Sequence, residues 1–148
     1  MYQFEIKPGL GVGPVRLSSH REDVRSALGE PEHCVDAREF YQSGLIVNYD
    51  SNDRVEFIEM AESELFRAIF RGVDLHRVQA QEALKHVGSF ADYDHSDPEL
   101  GHSYVFQSLQ LSLWRPTTPK DNQDPLDPEG RYFKAVGIAV DDYFKGQW

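Results

Sequence analysis

The sequence predicts an α+β fold: a tandem pseudo-repeat in which each half is one helix plus an antiparallel β-meander, with the two sheets side by side or continuous. Three observations point there. Short apolar–polar alternations recur along the chain, two segments carry helical periodicity, and the order of elements in the first half returns in the second. The 148 residues suit one compact domain, 1–148, with pseudo-repeats at approximately 1–61 and 68–148.

Tyr2-Gln-Phe-Glu-Ile6 alternates as a short strand, and Pro8 to Pro14 is a glycine- and proline-rich turn segment. Val15-Arg-Leu17 continues extended. Ser18 or Ser19 then caps a helix with Val24, Ala27 and Leu28 on one face. Glu22 and Asp23 suit its first turn, Gly29 its end, and Pro31 blocks continuation. Residues 38–42, 45–49 and 55–60 form a three-stranded meander joined by Ser43-Gly44 and Asp50-Ser-Asn-Asp53.

The second half repeats the order. Ala68 to Leu75 is extended, and Val78 to Val87 reads as a helix with Val78, Ala83, Leu84 and Val87 apolar, stopped by Gly88. Tyr104–Phe106, Leu109–Trp114 and Tyr132–Val140 supply its strands. Local matches support the repeat: Val15-Arg-Leu with Val73-Asp-Leu, and Phe40-Tyr-Gln-Ser with Val105-Phe-Gln-Ser. Glu62 to Arg67 has no Gly or Pro and keeps Leu65 and Phe66, so it reads as a packed connection.

Composition narrows the function. With 40% apolar residues the chain can build a core, and its single cysteine, Cys34, excludes an intrachain disulfide. There are 25 acids against 15 bases, a net charge of −10. Residues 1–74 hold 14 acids and 8 bases and residues 75–148 hold 11 and 7, so neither half is basic. Such a field repels phosphate backbones and disfavours direct nucleic-acid binding, whereas it speeds association with a basic partner. Neither a signal peptide nor an apolar span is visible, so the expectation is a soluble cytoplasmic protein that does not engage membranes.

No catalytic constellation stands out. Gly9-Leu-Gly-Val-Gly13 lacks the dinucleotide spacing and leads into extended chain rather than a helix. The six histidines form no metal-ligand pairing, and Cys34 has no CxxC partner. Two acidic loops, 92–99 and 120–130, lack the spacing of an EF-hand. No metal or cofactor is therefore expected, and the chain is not expected to be an enzyme. The second loop is long, with Trp114 and Arg115 leading in and Tyr132 and Phe133 leading out. An acidic loop in an aromatic and arginine frame has the composition of a protein-binding hot spot. The candidate contacts are Asp92, Tyr93, Asp94, Asp97, Glu99, Trp114, Asp121, Asp124 and Asp127.

The stretch Gly11-Val-Gly-Pro-Val-Arg-Leu-Ser-Ser-His-Arg-Glu-Asp-Val-Arg-Ser-Ala-Leu-Gly-Glu-Pro31 resembles the opening of a group of small bacterial proteins. That group includes the outer-membrane assembly lipoprotein SmpA/OmlA, the beta-lactamase inhibitor protein with its tandem helix-plus-sheet repeats, and immunity proteins encoded beside polymorphic toxins. Gly130 to Ile138 is similar to their final strand. Ser18-Ser19 replaces the group's usual Gly-Met, and no lipobox cysteine is present. The resemblance implies an immunity protein that neutralises a cognate toxin, one with a basic cleft, by occluding its active site or an adjoining surface. The alternative is a small-ligand-binding or regulatory module using a concave sheet face.

Overall fold

The computed structural model describes residues 2–145. Its elements are β1 (Tyr2–Lys7), β2 (Gly11–Val12), β3 (Val15–Arg16), α1 (Arg21–Leu28), β4 (His33–Val35), β5 (Arg38–Phe40), β6 (Leu45–Tyr49), β7 (Val55–Ala61), β8 (Phe66–Phe70), β9 (Val73–Asp74), α2 (Ala80–Gly88), β10 (Ser103–Phe106), β11 (Leu111–Trp114) and β12 (Ala135–Ala139). The fold is α+β, with two sheets and two helices among the described residues.

The two meanders merge into one seven-stranded antiparallel sheet, ordered β10-β11-β12-β7-β6-β5-β4. It is continuous because β12 pairs with β7 from Ala135↔Ala61 to Ala139↔Phe57. A second sheet, β3-β2-β1-β8-β9, joins the strands that open each half, with β1 parallel to β8.

Alternation decides which sheet face is buried. Leu45, Val47, Tyr49, Ile58, Met60, Leu111, Leu113, Val136 and Ile138 turn inward. They form one cluster with Ile6, Val12 and Val15, with Phe66, Ala68 and Phe70, and with Val24, Ala80, Ala83 and Val87 of the helices. The other face of the large sheet is in part exposed and in part covered by a smaller cluster. Register shifts between Asn48 and Tyr49, so Val55 enters the core while Phe57 joins a separate cluster with Val105, Ala139 and Phe144.

Several local expectations change. The α1 cap is His20, whose Nδ1 accepts from the Glu22 amide. Ser18 instead adopts a φ of 66° and donates its amide to Val55, while the Ser19 hydroxyl turns back to the Arg16 carbonyl. Ala27 is exposed, because the helix face toward the sheet is Arg21, Val24, Arg25 and Leu28. Gly88 is the last residue of α2 and Ser89 caps it. The strand expected from Tyr132 begins at Ala135, and β4 forms a hairpin with β5 that the sequence reading lacks. In the connection between halves, Phe66 is buried but Leu65 is exposed. No described helix is long and apolar enough to cross a membrane.

His76 is 2% exposed, and its Nδ1 lies 3.0 Å from the Phe133 carbonyl oxygen, to which it donates. Nε2 is buried with no partner among the described residues. Burial lowers the pKa of this imidazole below 6.5, and the bond to Phe133 offsets only part of that. The unfolded chain therefore takes up a proton near the ordinary value that the folded chain refuses. Stability from this group is present above about 6.5 and lost as pH falls toward the lower folded value. A denaturation midpoint that falls between about pH 7 and pH 5, with a slope reduced in His76→Leu, is the expected result.

Candidate functional site

The solvent-facing side of the large sheet is built in cross-strand rows. One row runs Ser103, Trp114, Ala135, Ala61, and the next runs Val105, Ser112, Gly137, Glu59, Ile46, Phe40. Small residues on the central strands form the floor between larger neighbours. Above that floor lies an open groove of about 700 Å³ bounded by Trp114, Arg38, Glu59, Glu62 and Lys134.

Two ion pairs flank the groove. Arg38 Nη2 lies 3.4 Å from Glu59 Oε2, and the Arg38 guanidinium also sits 5.2 Å from the Phe40 ring centroid. Burial pushes the Glu59 carboxyl above its ordinary pKa, and Arg38 offsets this only in part. Arg38 Nε is buried without an acceptor among the described residues. Lys134 Nζ makes the tighter pair, 2.7 Å from Glu62 Oε2.

The opposite part of this face is covered by the chain itself. Tyr143 stacks on Phe57 at 5.1 Å and 1°, and Phe144 meets Phe57 edge-on. Gly137 makes room: a Cβ there would stand 2.5 Å from the Phe57 ring.

The expected contact residues other than Trp114 lie in two loops whose stems meet at Arg115. Arg115 follows Trp114 and donates through Nε to the Gly101 carbonyl at 2.8 Å and through Nη1 to the Gly130 carbonyl at 2.9 Å. One guanidinium thereby clamps the stem of each acidic loop. Gly130 has a φ of 75°, and a Cβ there would lie 2.6 Å from the Thr118 carbonyl carbon, so the second loop folds tightly on itself.

The acids divide by role. Asp94, Asp97, Asp124 and Asp127 each accept with Oδ1 from the amide two residues on, Ser96, Glu99, Leu126 and Glu129 respectively. These are Asx turns, which shape the loops. Asp97 goes furthest inward, at 6% exposure, with Oδ2 unpartnered among the described residues. Tyr93 lies half-buried, edge-on to Tyr104 and Phe106. Asp92 accepts from the Tyr93 amide at 3.0 Å and lies 3.3 Å from His95 Nε2. Asp92, Glu99, Asp121 and Asp124 are exposed, and Asp127 is half-buried. Trp114 is 43% exposed whereas Phe133 is fully buried, so of these two frame aromatics only Trp114 faces solvent. No three His, Cys, Asp or Glu side chains among the described residues converge as a metal-binding group.

A second polar centre lies under α1, and the sequence reading missed it. Glu39 is completely buried. Its Oε1 accepts from the Tyr41 hydroxyl at 3.0 Å and the Tyr49 hydroxyl at 2.8 Å. Its Oε2 accepts from Arg21 Nη1 at 3.2 Å and Arg25 Nε at 2.9 Å. Burial alone would raise its pKa, but the bonds from Arg25, Tyr49 and Tyr41 together hold it below the ordinary value. Arg21 also reaches Asp53 and lies 4.3 Å from the Tyr49 centroid. Every donor here belongs to the fold, so the cluster locks α1 to the sheet. The signal was present in the spacing: Arg21 and Arg25 share a helix face with Val24 and Leu28. No family model, curated protein or solved structure matches this chain.

Proposed function

We propose that this chain is a non-catalytic protein-binding module, an immunity protein that holds a bacterial toxin through the Trp114 end of its large sheet. The supporting observation is the hold of Arg115, the residue after exposed Trp114, on the Gly101 and Gly130 carbonyls at the stems of both acidic loops. Ordered acidic loops suit a cationic surface, because their carboxylates are already positioned and little ordering entropy is lost on contact. With a net charge of −10, the chain would be drawn into a basic cleft. A stable complex would bury roughly 1,200–2,000 Å².

The tandem pseudo-repeat belongs to the same reading. Both halves open with strands of the smaller sheet, continue with one helix and end in strands of the large sheet, and the last strands of the two meanders pair at β7 and β12. The groove also suits the alternative of a small-ligand module, but it is open and flanked by ion pairs rather than enclosed and apolar.

The test is co-expression with the product of the reading frame immediately upstream of this gene. Restored growth and a stoichiometric complex are expected. Folded protein that leaves the toxin active, or that turns over a substrate of its own, overturns the proposal. Within such a complex, Asp121→Lys, Asp124→Lys and Asp127→Lys combined should slow association about tenfold or more at low salt, with the difference shrinking as salt rises. Unchanged stopped-flow on-rates would remove the second loop from the interface.

A further inference from the structure

We infer that the groove beside Trp114 is a site for a neutral oligosaccharide, with the C–H face of one pyranose ring on the indole and its hydroxyls on the two ion pairs. The inference goes beyond the reading of the chain as a toxin-binding module and stands without it, since neither acidic loop lines the groove.

Trp114 supplies the platform. Its cross-strand neighbours are Ser103 and Ala135, both too small to cover an indole, and the residue stays 43% exposed. Tyr2 and Phe90 are otherwise engaged, the first stacked on Phe4 and the second with the Arg71 guanidinium 4.4 Å from its centroid. Trp114 has neither a ring nor a cation partner among the described residues. Only β12 lies between its strand and the β7 strand of Glu59, so roughly 10 Å of sheet separates the two backbones and leaves space for a ring between them.

Charge narrows the occupant by elimination. Arg38 pairs with Glu59 and Lys134 with Glu62, so two acids are balanced by two bases and the groove has no excess charge to draw an ion. At longer range the net charge of −10 turns anions away. A wholly apolar ligand would desolvate four charged groups without compensation. A neutral polar ligand is left.

Hydroxyls suit these walls because each donates and accepts at once. One can bridge the Arg38–Glu59 pair, loose at 3.4 Å, by accepting from the guanidinium and donating to the carboxylate. Burial holds the Glu59 carboxyl above its ordinary pKa and Arg38 offsets only part of that, so a further donor is favoured there. A pyranose meets both requirements in one ring, with C–H bonds on its face and hydroxyls on its rim, and an indole pairs with such an amphipathic surface. The groove is open, at about 700 Å³, so it admits units within a chain rather than enclosing a single sugar.

The test follows the Trp114 indole N–H of the isotopically labelled protein, assigned with Trp114→Phe, during titration with cellotriose, maltotriose and chitotriose. A saturable shift at millimolar sugar is expected with at least one of the three. Its midpoint should move less than twofold between low salt and about 0.5 M salt, because the ligand is uncharged. Sorbitol, which has the hydroxyls but no ring face, should bind at least tenfold more weakly. Trp114→Ala and Glu59→Ala, followed at backbone amides of the groove floor, should each weaken the sugar about tenfold while the spectrum stays that of a folded protein. Arg38→Gln with Glu59→Gln removes both charges but keeps donors and acceptors, and should cost less than Glu59→Ala. No shift with any of the three sugars, a shift abolished by salt, equal binding of sorbitol, or indifference to Trp114→Ala and Glu59→Ala overturns the site. Concentration-dependent protection of Trp114 in the protein alone, with a dimer mass, would give the groove to a second copy and overturn it too.

Discussion

Glu39→Gln should unfold at a distinctly lower urea concentration than the parent protein, with a loss of about 3 kcal/mol and an unchanged denaturant slope. Arg21, Arg25, Tyr41 and Tyr49 converge on this fully buried carboxylate, with the Cys34 thiol at 3.9 Å. Arg21 and Arg25 are partly exposed and can turn to water, which places the cost at the lower end of what breaking a buried pair entails. Tyr41 and Tyr49 both donate to Oε1, a role the amide oxygen can keep, so the loss arises where the new NH2 group faces the two guanidiniums. Both phenols already sit above their ordinary pKa, from burial first and from the neighbouring Glu39 carboxylate second.

The acid limb gives a second readout. Because the folded pKa of Glu39 is below 4.5, its contribution is complete above that value and lost as pH falls through the folded one. The variant should lose that part of its acid sensitivity while the part due to His76, which lies at higher pH, remains. A stability change under about 0.5 kcal/mol would show that the cluster is solvated rather than structural.

Gly137→Val should destabilise by about 1–3 kcal/mol even though valine is the better strand former. The added carbons would meet the Phe57 ring at 2.5 Å and the Ser112 hydroxyl at 2.9 Å, so the Phe57 ring must swing aside. With it goes the platform on which Tyr143 stacks and against which Phe144 is packed. Loss of the ring-current shifts of Tyr143 should accompany the fall in midpoint. Phe57→Ala should reproduce the loss of those shifts without the clash. A Gly137→Val protein that keeps both stability and those shifts would mean the strand backs away as a unit.

The meander strands and both helices were legible because their signals are local: a period of two, a period near 3.6, and Gly or Pro punctuation. What was not legible depended on partners distant in sequence. Phe40 looks like the core residue of Arg38-Glu-Phe-Tyr-Gln42, yet Glu39 and Tyr41 point inward and Phe40 lies outside under Arg38. Hydrophobicity misleads there because two arginines on α1 neutralise the acid. The acidic loops were recognised by composition, but turn formation by Asp94, Asp97, Asp124 and Asp127 depends on backbone geometry that composition does not encode. Trp114 leads into the long loop by sequence alone, whereas its solvent exposure follows from the register of β10, β11 and β12.

The parallel pairing of Tyr2 with Phe66 dictates an order of assembly. During synthesis β1 must wait for residues 66–70 before its second edge is occupied, and β7 must wait longer still for residues 135–139. A nascent or truncated first half would therefore display two vacant sheet edges at once, each a template for pairing with another chain. Closure of both edges by the later residues is what converts that sticky precursor into a finished molecule.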